Sequence, residues 1–235
     1  MQAVFFSHVG AVRKNNEDAV YCDAKTGLFI VADGIGGREA GEVASATAVR
    51  VVAEKFWENP AAPADELMRE AFYQANDILH QAGKDKNMHG MGTTMTAAVV
   101  RGDNIHLVHV GDSRAYLFNR NSIEQLTEDH TLVQALLLDG QITSAEAEHH
   151  PQRHVLVRSI GQDILVQVQE RTISWVKGDY LLLCSDGLYN LVPPHEMQEI
   201  TLRAANLKSA IDFMAQTAFN RGGYDNISAI LVNCE

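Results

Sequence analysis

Four aspartates occupy one kind of place in this chain, where an apolar run meets glycine or asparagine. Phe29-Ile30-Val31-Ala32 leads into Asp33-Gly34, Leu107-Val108-His109-Val110 into Gly111-Asp112, and Leu181-Leu182-Leu183-Cys184 into Ser185-Asp186-Gly187. Asp225-Asn226 directly precedes the run 227–232. Short apolar runs bounded by turn residues read as buried strands. In antiparallel sheets the end of one strand lies beside the start of another, so the four carboxylates can meet at one edge of a core. Carboxylates gathered there are costly unless cations neutralise them. With oxygen ligands and no suitable His or Cys set, Mg2+ and Mn2+ are the physical choice. The flanking glycines let a main-chain carbonyl approach as a further ligand. Each Asp-Gly or Gly-Asp pair is also an ordinary turn sequence, and composition and spacing alone leave both readings open.

The elements that must position these residues are legible in outline. The pattern predicts strands over 3–8, 19–23, 28–32, 93–100, 105–110, 114–119, 165–172, 180–184 and 227–232, with the third stopping at Asp33-Gly34. Gly102-Asp103-Asn104 reads as a tight hairpin turn. Val43, Ala46, Val49, Val52, Ala53 and Phe56 recur at helical spacing over 39–57, and Asn59-Pro60 ends that helix. Pro63 opens a second helix to about Ala82, with Leu67, Ala71, Ala75, Ile78 and Leu79 on one face. The stretch 128–161 turns more helical and polar, with Thr143-Ser144 as a helix start. Pro193-Pro194 opens another helix, and 208–220 forms the last. Strands and helices come in blocks, which favours an α+β fold of antiparallel sheets with helices packed outside.

The chain has 235 residues and no linker-like stretch, which predicts one domain, 1–235. A net charge of -11 repels nucleic acid and anionic membranes, so neither is an expected partner. Cys22, Cys184 and Cys234 lie far apart and form no C-x-x-C pair, which suggests a reducing compartment without a disulfide framework. No signal peptide or bilayer-spanning run is evident, so the expectation is a cytoplasmic protein without membrane insertion.

Six segments in order carry a family resemblance. They are Val12-Arg13-Lys14-Asn15-Asn16-Glu17-Asp18-Ala19, Ala32-Asp33-Gly34-Ile35-Gly36-Gly37, Gly92-Thr93-Thr94, Val110-Gly111-Asp112-Ser113-Arg114-Ala115-Tyr116, Ser185-Asp186-Gly187-Leu188 and Asp225-Asn226-Ile227-Ser228. Together they resemble the successive motifs of the PPM, or type 2C, metal-dependent serine/threonine protein phosphatases, in particular the short bacterial members. The resemblance implies a four-layer α-β-β-α sandwich, two antiparallel sheets flanked by helices. It implies hydrolysis of phosphoserine or phosphothreonine by a water or hydroxide bridging two divalent metals, Mn2+ or Mg2+, about 3.5–4 Å apart. On that pattern Asp33 bridges both metals, and the Gly34 carbonyl, Asp186 and Asp225 complete the main set. Asp18 supports the second metal, and Asp112 with Asp186 matches a weaker third site. Arg13 matches the arginine that grips the substrate phosphate, a task its planar fork suits and a lysine could not copy. The implied partners are phosphoproteins, a serine/threonine kinase and its substrates in bacterial signalling, met by a monomer. The segment 136–162 matches the family's flap beside the active site. Where several eukaryotic members carry a histidine proposed as general acid, this chain has Ile35, so a metal-bound water or another residue must donate that proton. His130 and His154 flank the variable segment and read better as structural or surface groups.

Rival readings fail on particular residues. In Gly34-Ile35-Gly36-Gly37-Arg38-Glu39 the third glycine of a dinucleotide loop falls on Glu39. Ser113 lacks a G-x-S-x-G elbow, and His195-Glu196-Met197-Gln198-Glu199 misses H-E-x-x-H at its last residue. His106 and His109 would point to opposite faces of a strand. The serious alternative is a pseudophosphatase that binds phosphoproteins without turnover. Loss of a metal aspartate would mark it, and Asp33, Asp112, Asp186 and Asp225 are all present.

Overall fold

The computed structural model describes residues 1–36, 40–59, 62–86 and 88–234. The expectations resting on Gly37, Arg38, Glu39 and Pro60 lie outside the described residues. In chain order the elements are β1 (Gln2–His8), β2 (Asp18–Asp23), β3 (Leu28–Ile35), α1 (Ala40–Glu58), α2 (Ala64–Ala82), β4 (Gly92–Thr93), β5 (Met95–Arg101), β6 (Asn104–Val110), β7 (Arg114–Phe118) and β8 (Ile123–Gln125). There follow α3 (Leu132–Leu138), α4 (Ser144–Glu148), β9 (Gln169–Ser174), β10 (Tyr180–Cys184), α5 (Asp186–Tyr189), α6 (Pro194–Arg203), α7 (Leu207–Asn220) and β11 (Ile227–Asn233).

Among the described residues every strand pairing is antiparallel. One sheet runs β1-β11-β10-β7-β8, and the other β2-β3-β5-β6-β9 with β4 added against β3. Period-two alternation sorts each strand's side chains between two cores. On β3, Leu28, Ile30 and Ala32 face outward into a core shared with α1 and α2, while Phe29 and Val31 face inward. On β10, Leu182 and Cys184 face outward toward α7, while Leu181 and Leu183 face inward. The inward sets meet between the sheets with Ala98, Ile105, Leu107, Ala115, Trp175 and Ile230. Helices, sheet, sheet and helices therefore form the four layers of an α-β-β-α sandwich. Among the described residues no helix is long and apolar enough to cross a membrane.

The structure departs from the sequence reading in several places. β3 does not stop at Asp33-Gly34 but runs on to Ile35, because β4 supplies partners for Gly34 and Ile35. The expected strand 93–100 is split at Thr94, whose N–H donates to the Asp33 carbonyl at 2.9 Å. The strand expected over 165–172 lies at Gln169–Ser174, where β6 pairs with it, and Leu165 is exposed instead. Pairing across the sheet, not local hydrophobicity, fixed that register. Thr143 does start a helix, with a full capping box to Glu146.

Candidate metal centre

The space between the sheets changes character along its length. At one end Trp175 closes it, its indole N–H reaching the Gly102 carbonyl at 3.3 Å. At the other end each inward-facing row turns polar without changing parity. Phe29 and Val31 on β3 give way to Asp33, and Cys22 and Val20 on β2 lead back to Asp18. Asp18 and Asp33 face each other in the β2–β3 register. Leu181 and Leu183 give way to Ser185, and Val232 and Ile230 lead back to Ser228. Asp112 lies in the β6–β7 turn, Asp186 opens α5, and Asp225 precedes β11.

Hydroxyls form a layer beneath the carboxylates. The Ser185 hydroxyl donates to Asp18 Oδ2 at 2.8 Å and accepts from the Ser228 N–H at 3.0 Å. The Asp33 N–H donates to Thr94 Oγ1 at 3.0 Å, and Thr94 Oγ1 lies 2.6 Å from Ser113 Oγ. The Thr93 hydroxyl donates to the Asp33 carbonyl at 2.8 Å. The residues around the aspartates are drawn in by close backbone approaches. A Cβ on Gly34 would stand 2.1 Å from the Gly41 carbonyl oxygen, and one on Gly187 would stand 1.9 Å from that of Asn226. Only glycine lets α1 and α5 come so near their neighbours. Asn226 anchors the loop 9–17, donating to the carbonyls of Val9 at 3.0 Å and Asn15 at 2.9 Å and accepting from the Glu17 N–H at 2.8 Å. That loop carries Arg13, whose guanidinium donates to Asp225 Oδ2 at 2.8 Å.

Electrostatically these carboxylates are strained. Burial, then the negative charge of Asp18, Asp186, Asp112 and Asp225, holds the Asp33 carboxyl well above the usual range. Asp112 is raised by burial and then by Asp186 and Asp129. Asp186 is raised by burial and then by Asp225, with Arg13 and Arg114 opposing. Burial also raises Asp18, against hydrogen bonds from Ser228 and Ser185. Asp18 Oδ1 and Asp186 Oδ1 are buried with no hydrogen-bond partner. Among the described residues no three His, Cys, Asp or Glu side chains already stand in ligand geometry, since Asp225 turns to Arg13 and Asp18 to Ser185. The donor set nevertheless fits hard divalent cations: five mutually repelling carboxylates, two orphaned oxygens and glycine-flanked carbonyls are what such ions satisfy.

A cavity of about 280 Å³ opens over this rim, lined by Asp33, Asp112 and Asp186 with Thr94, Ile35, His154, Leu156 and Gln162. Among the described residues His154 is the one titratable lining group besides the carboxylates, with Nδ1 3.8 Å from Asp186 Oδ2. His130 is a structural group. It is buried, its N–H donates to the Gly111 carbonyl at 2.7 Å, and its Nδ1 accepts from the Gly111 N–H at 3.1 Å. The sequence reading gave no role to Ser185, Ser228, Thr94, Ser113, Glu17 or Asn226. For Ser185 and Ser228 the signal was present, because each continues the parity of an inward apolar row.

Known proteins are similar to this chain in sequence and in fold. The family model for protein phosphatase 2C matches residues 8–231. The serine/threonine phosphatase stp of Listeria monocytogenes is 38% identical over 240 residues, covering 99% of this chain and 95% of that protein. Protein phosphatase PhpP of Streptococcus pneumoniae is 37% identical, with 99% and 97% covered. The Streptococcus agalactiae serine/threonine phosphatase superposes with a TM-score of 0.94 at 33% identity, covering 100% of this chain and 99% of that one. The catalytic domain of the serine/threonine protein phosphatase PstP, solved in complex with two manganese ions, superposes with a TM-score of 0.86 at 32% identity, with 99% and 97% covered. Matched almost end to end in both sequence and structure, and with its aspartates at the same rim of the sandwich that the motifs mark, the chain belongs to the protein phosphatase 2C family.

Proposed function

We propose that this chain is a metal-dependent phosphoprotein phosphatase that hydrolyses phosphoserine and phosphothreonine. The observation that carries the reading is the convergence of five aspartates, two with orphaned buried oxygens and three of the five lining one cavity. Asp33, the Gly34 carbonyl, Asp186 and Asp225 would hold two divalent cations, Mn2+ or Mg2+, with Asp18 in support. Asp112 with Asp186 would hold a weaker third. Cations there lower the pKa of bound water toward neutrality and offset phosphate charge. The protein's own contribution is position and charge. Arg13, exposed and already bound to an oxygen of the Asp225 carboxylate, would present its fork to an incoming phosphate. The Asp33 main chain is held at its N–H by Thr94 and at its carbonyl by Thr93, so its carboxylate is aimed before substrate arrives.

The retained aspartates favour turnover over a pseudophosphatase role. Phosphorylated proteins, including a serine/threonine kinase and its substrates, are the partners this reading assigns to a cytoplasmic monomer. The fold is read as a single domain, 1–235, with 136–162 as a flap over the cavity. Hydrolysis of a chromogenic phosphate ester and of a phosphothreonine peptide with Mn2+ tests the activity. Both should proceed, and EDTA should abolish both; turnover that survives EDTA would reject the metal-dependent reading.

A further inference from the structure

α2 buries an amphipathic face, and one buried residue on it is polar. Asn76 is 1% exposed, among Ala71, Phe72, Ala75 and Leu79. A primary amide in such a place is costly unless satisfied, and Asn76 is satisfied entirely by one short stretch of chain. Its Nδ2 donates to the carbonyls of Asp163 at 3.0 Å and Ile164 at 3.2 Å, and its Oδ1 accepts from the Gly161 N–H at 2.8 Å. Leu79, one turn further along α2, completes the seat. Gly161 has φ +95°, and a Cβ there would lie 2.6 Å from Leu79 Cβ.

This seat lies between the helix layer and the cavity. The residue before Gly161, Ile160, is fully buried and exchanges both main-chain hydrogen bonds with Thr93, at 3.0 and 2.8 Å. Thr93 in turn donates its hydroxyl to the Asp33 carbonyl. The residue after Gly161, Gln162, lines the cavity, as do Leu156 and His154 earlier in the same segment. The side-chain hydrogen bonds of Asn76 go to Gly161, Asp163 and Ile164, none of which lines the cavity.

We infer that Asn76 is a positioning residue, which fixes the exit of the 136–162 segment on α2 and so sets where His154, Leu156 and Gln162 stand over the carboxylates. This rests on the reading of the cavity as the phosphatase site. A large phosphopeptide must fit between segment and rim, whereas a small phosphate ester needs the rim alone. Loosening the seat should therefore weaken peptide binding and spare the small substrate.

The test is kinetics of Asn76→Ala and Asn76→Asp with Mn2+ on a phosphothreonine peptide and on a chromogenic ester, alongside tryptic cleavage mapped by mass spectrometry. Asn76→Asp keeps one oxygen as acceptor for the Gly161 N–H but sets the other against the two carbonyls. Both variants should raise the peptide KM about fivefold or more, with the ester kcat within about twofold, the split expected when only binding to the remote part of a substrate is lost. Trypsin should cut after the exposed Arg153 and Arg158 about tenfold faster, as local opening predicts. A proportionate loss on both substrates, or an unchanged peptide KM with unchanged cleavage, would overturn the inference. The wild-type chain gives a readout independent of any variant: amides of Ile160 and Gly161 should exchange about a hundredfold slower than those of α4. Equal exchange would overturn it too. If the wild-type protein hydrolyses neither substrate, the phosphatase reading fails and the exchange result alone judges the anchor.

Discussion

Asp33 and Asp186 differ from an ordinary pair of turn aspartates in what surrounds them. Both are partly buried, both are raised by burial and by neighbouring carboxylates, and both line the cavity. Asp33→Asn and Asp186→Ala should each reduce kcat to below about a tenth of wild type, measured with saturating Mn2+. Arg13 is a different case. Its pair with Asp225 joins two partly exposed side chains, so it is worth about 0–1 kcal/mol to the fold. Arg13→Ala should leave the urea midpoint nearly unchanged while raising the phosphopeptide KM about tenfold, and Arg13→Lys should not restore it, because a point charge lacks the fork. An unchanged KM would remove Arg13 from phosphate binding. At this scale Asp33, Asp112, Asp186 and Asp225 stood out because each bordered an apolar run, whereas only the family motif marked Asp18. Glu17 and Asn226 were not given roles, since what they organise is a loop brought to them from more than 200 residues away in the case of Asn226.

The elements were legible wherever local pattern and tertiary pairing agreed. β10 falls on the expected 180–184, and the predicted helix starts at Pro193-Pro194 and Thr143-Ser144 are present. The failures share a cause. β8, a strand of three residues, and α5, a helix of four, exist because neighbours hold them, and so short a stretch carries no period to read. β9 was displaced because Leu165 looked like strand material, while the ladder with β6 begins at Gln169. The close approaches at the site also belong to this scale. Gly187→Ala would push α5 off the Asn226 carbonyl, and overpacking of that kind costs about 1–3 kcal/mol. Urea unfolding should show that loss, and calorimetry should show weakened Mn2+ binding, because the same displacement moves Asp186. A variant as stable and as avid as wild type would mean that α5 has slack here.

Across the whole molecule the two sheets hold a buried histidine pair between them and the site. His109 and His130 have ring centroids 4.9 Å apart. Burial, then the charge of His130, pushes His109 down to about 3; burial, then Arg158, pushes His130 down to about 4. Both values lie below the roughly 6.5 of a free imidazole, so the unfolded chain binds more protons between them. Their contribution is full above about pH 6.5 and is lost as pH falls toward those values. In EDTA, wild type should lose about 2 kcal/mol more than His109→Gln between pH 7 and pH 5 by urea unfolding. Equal losses would mean that the ring is not held neutral by the fold. The layering itself was foreseen from blocks of strands and helices together with the family motifs. The grading of the space between the sheets was not, because it emerges only when strands distant in sequence are set side by side. That grading has a consequence for how the chain tolerates change. On β3 the same alternation that seats Leu28, Ile30 and Ala32 under the helices delivers Asp33 to the rim. Deleting one residue upstream within the strand would evict the oil-facing side chains and misdirect the acid in a single event. A misthreaded copy is therefore discarded as unstable before it can persist as a well-folded but inert one. Lengthening the chain at Gly102-Asp103, the exposed hairpin at the far end, leaves that alternation intact and costs instead the two bonds that Trp175 makes to the carbonyls of Gly102 and Asp103.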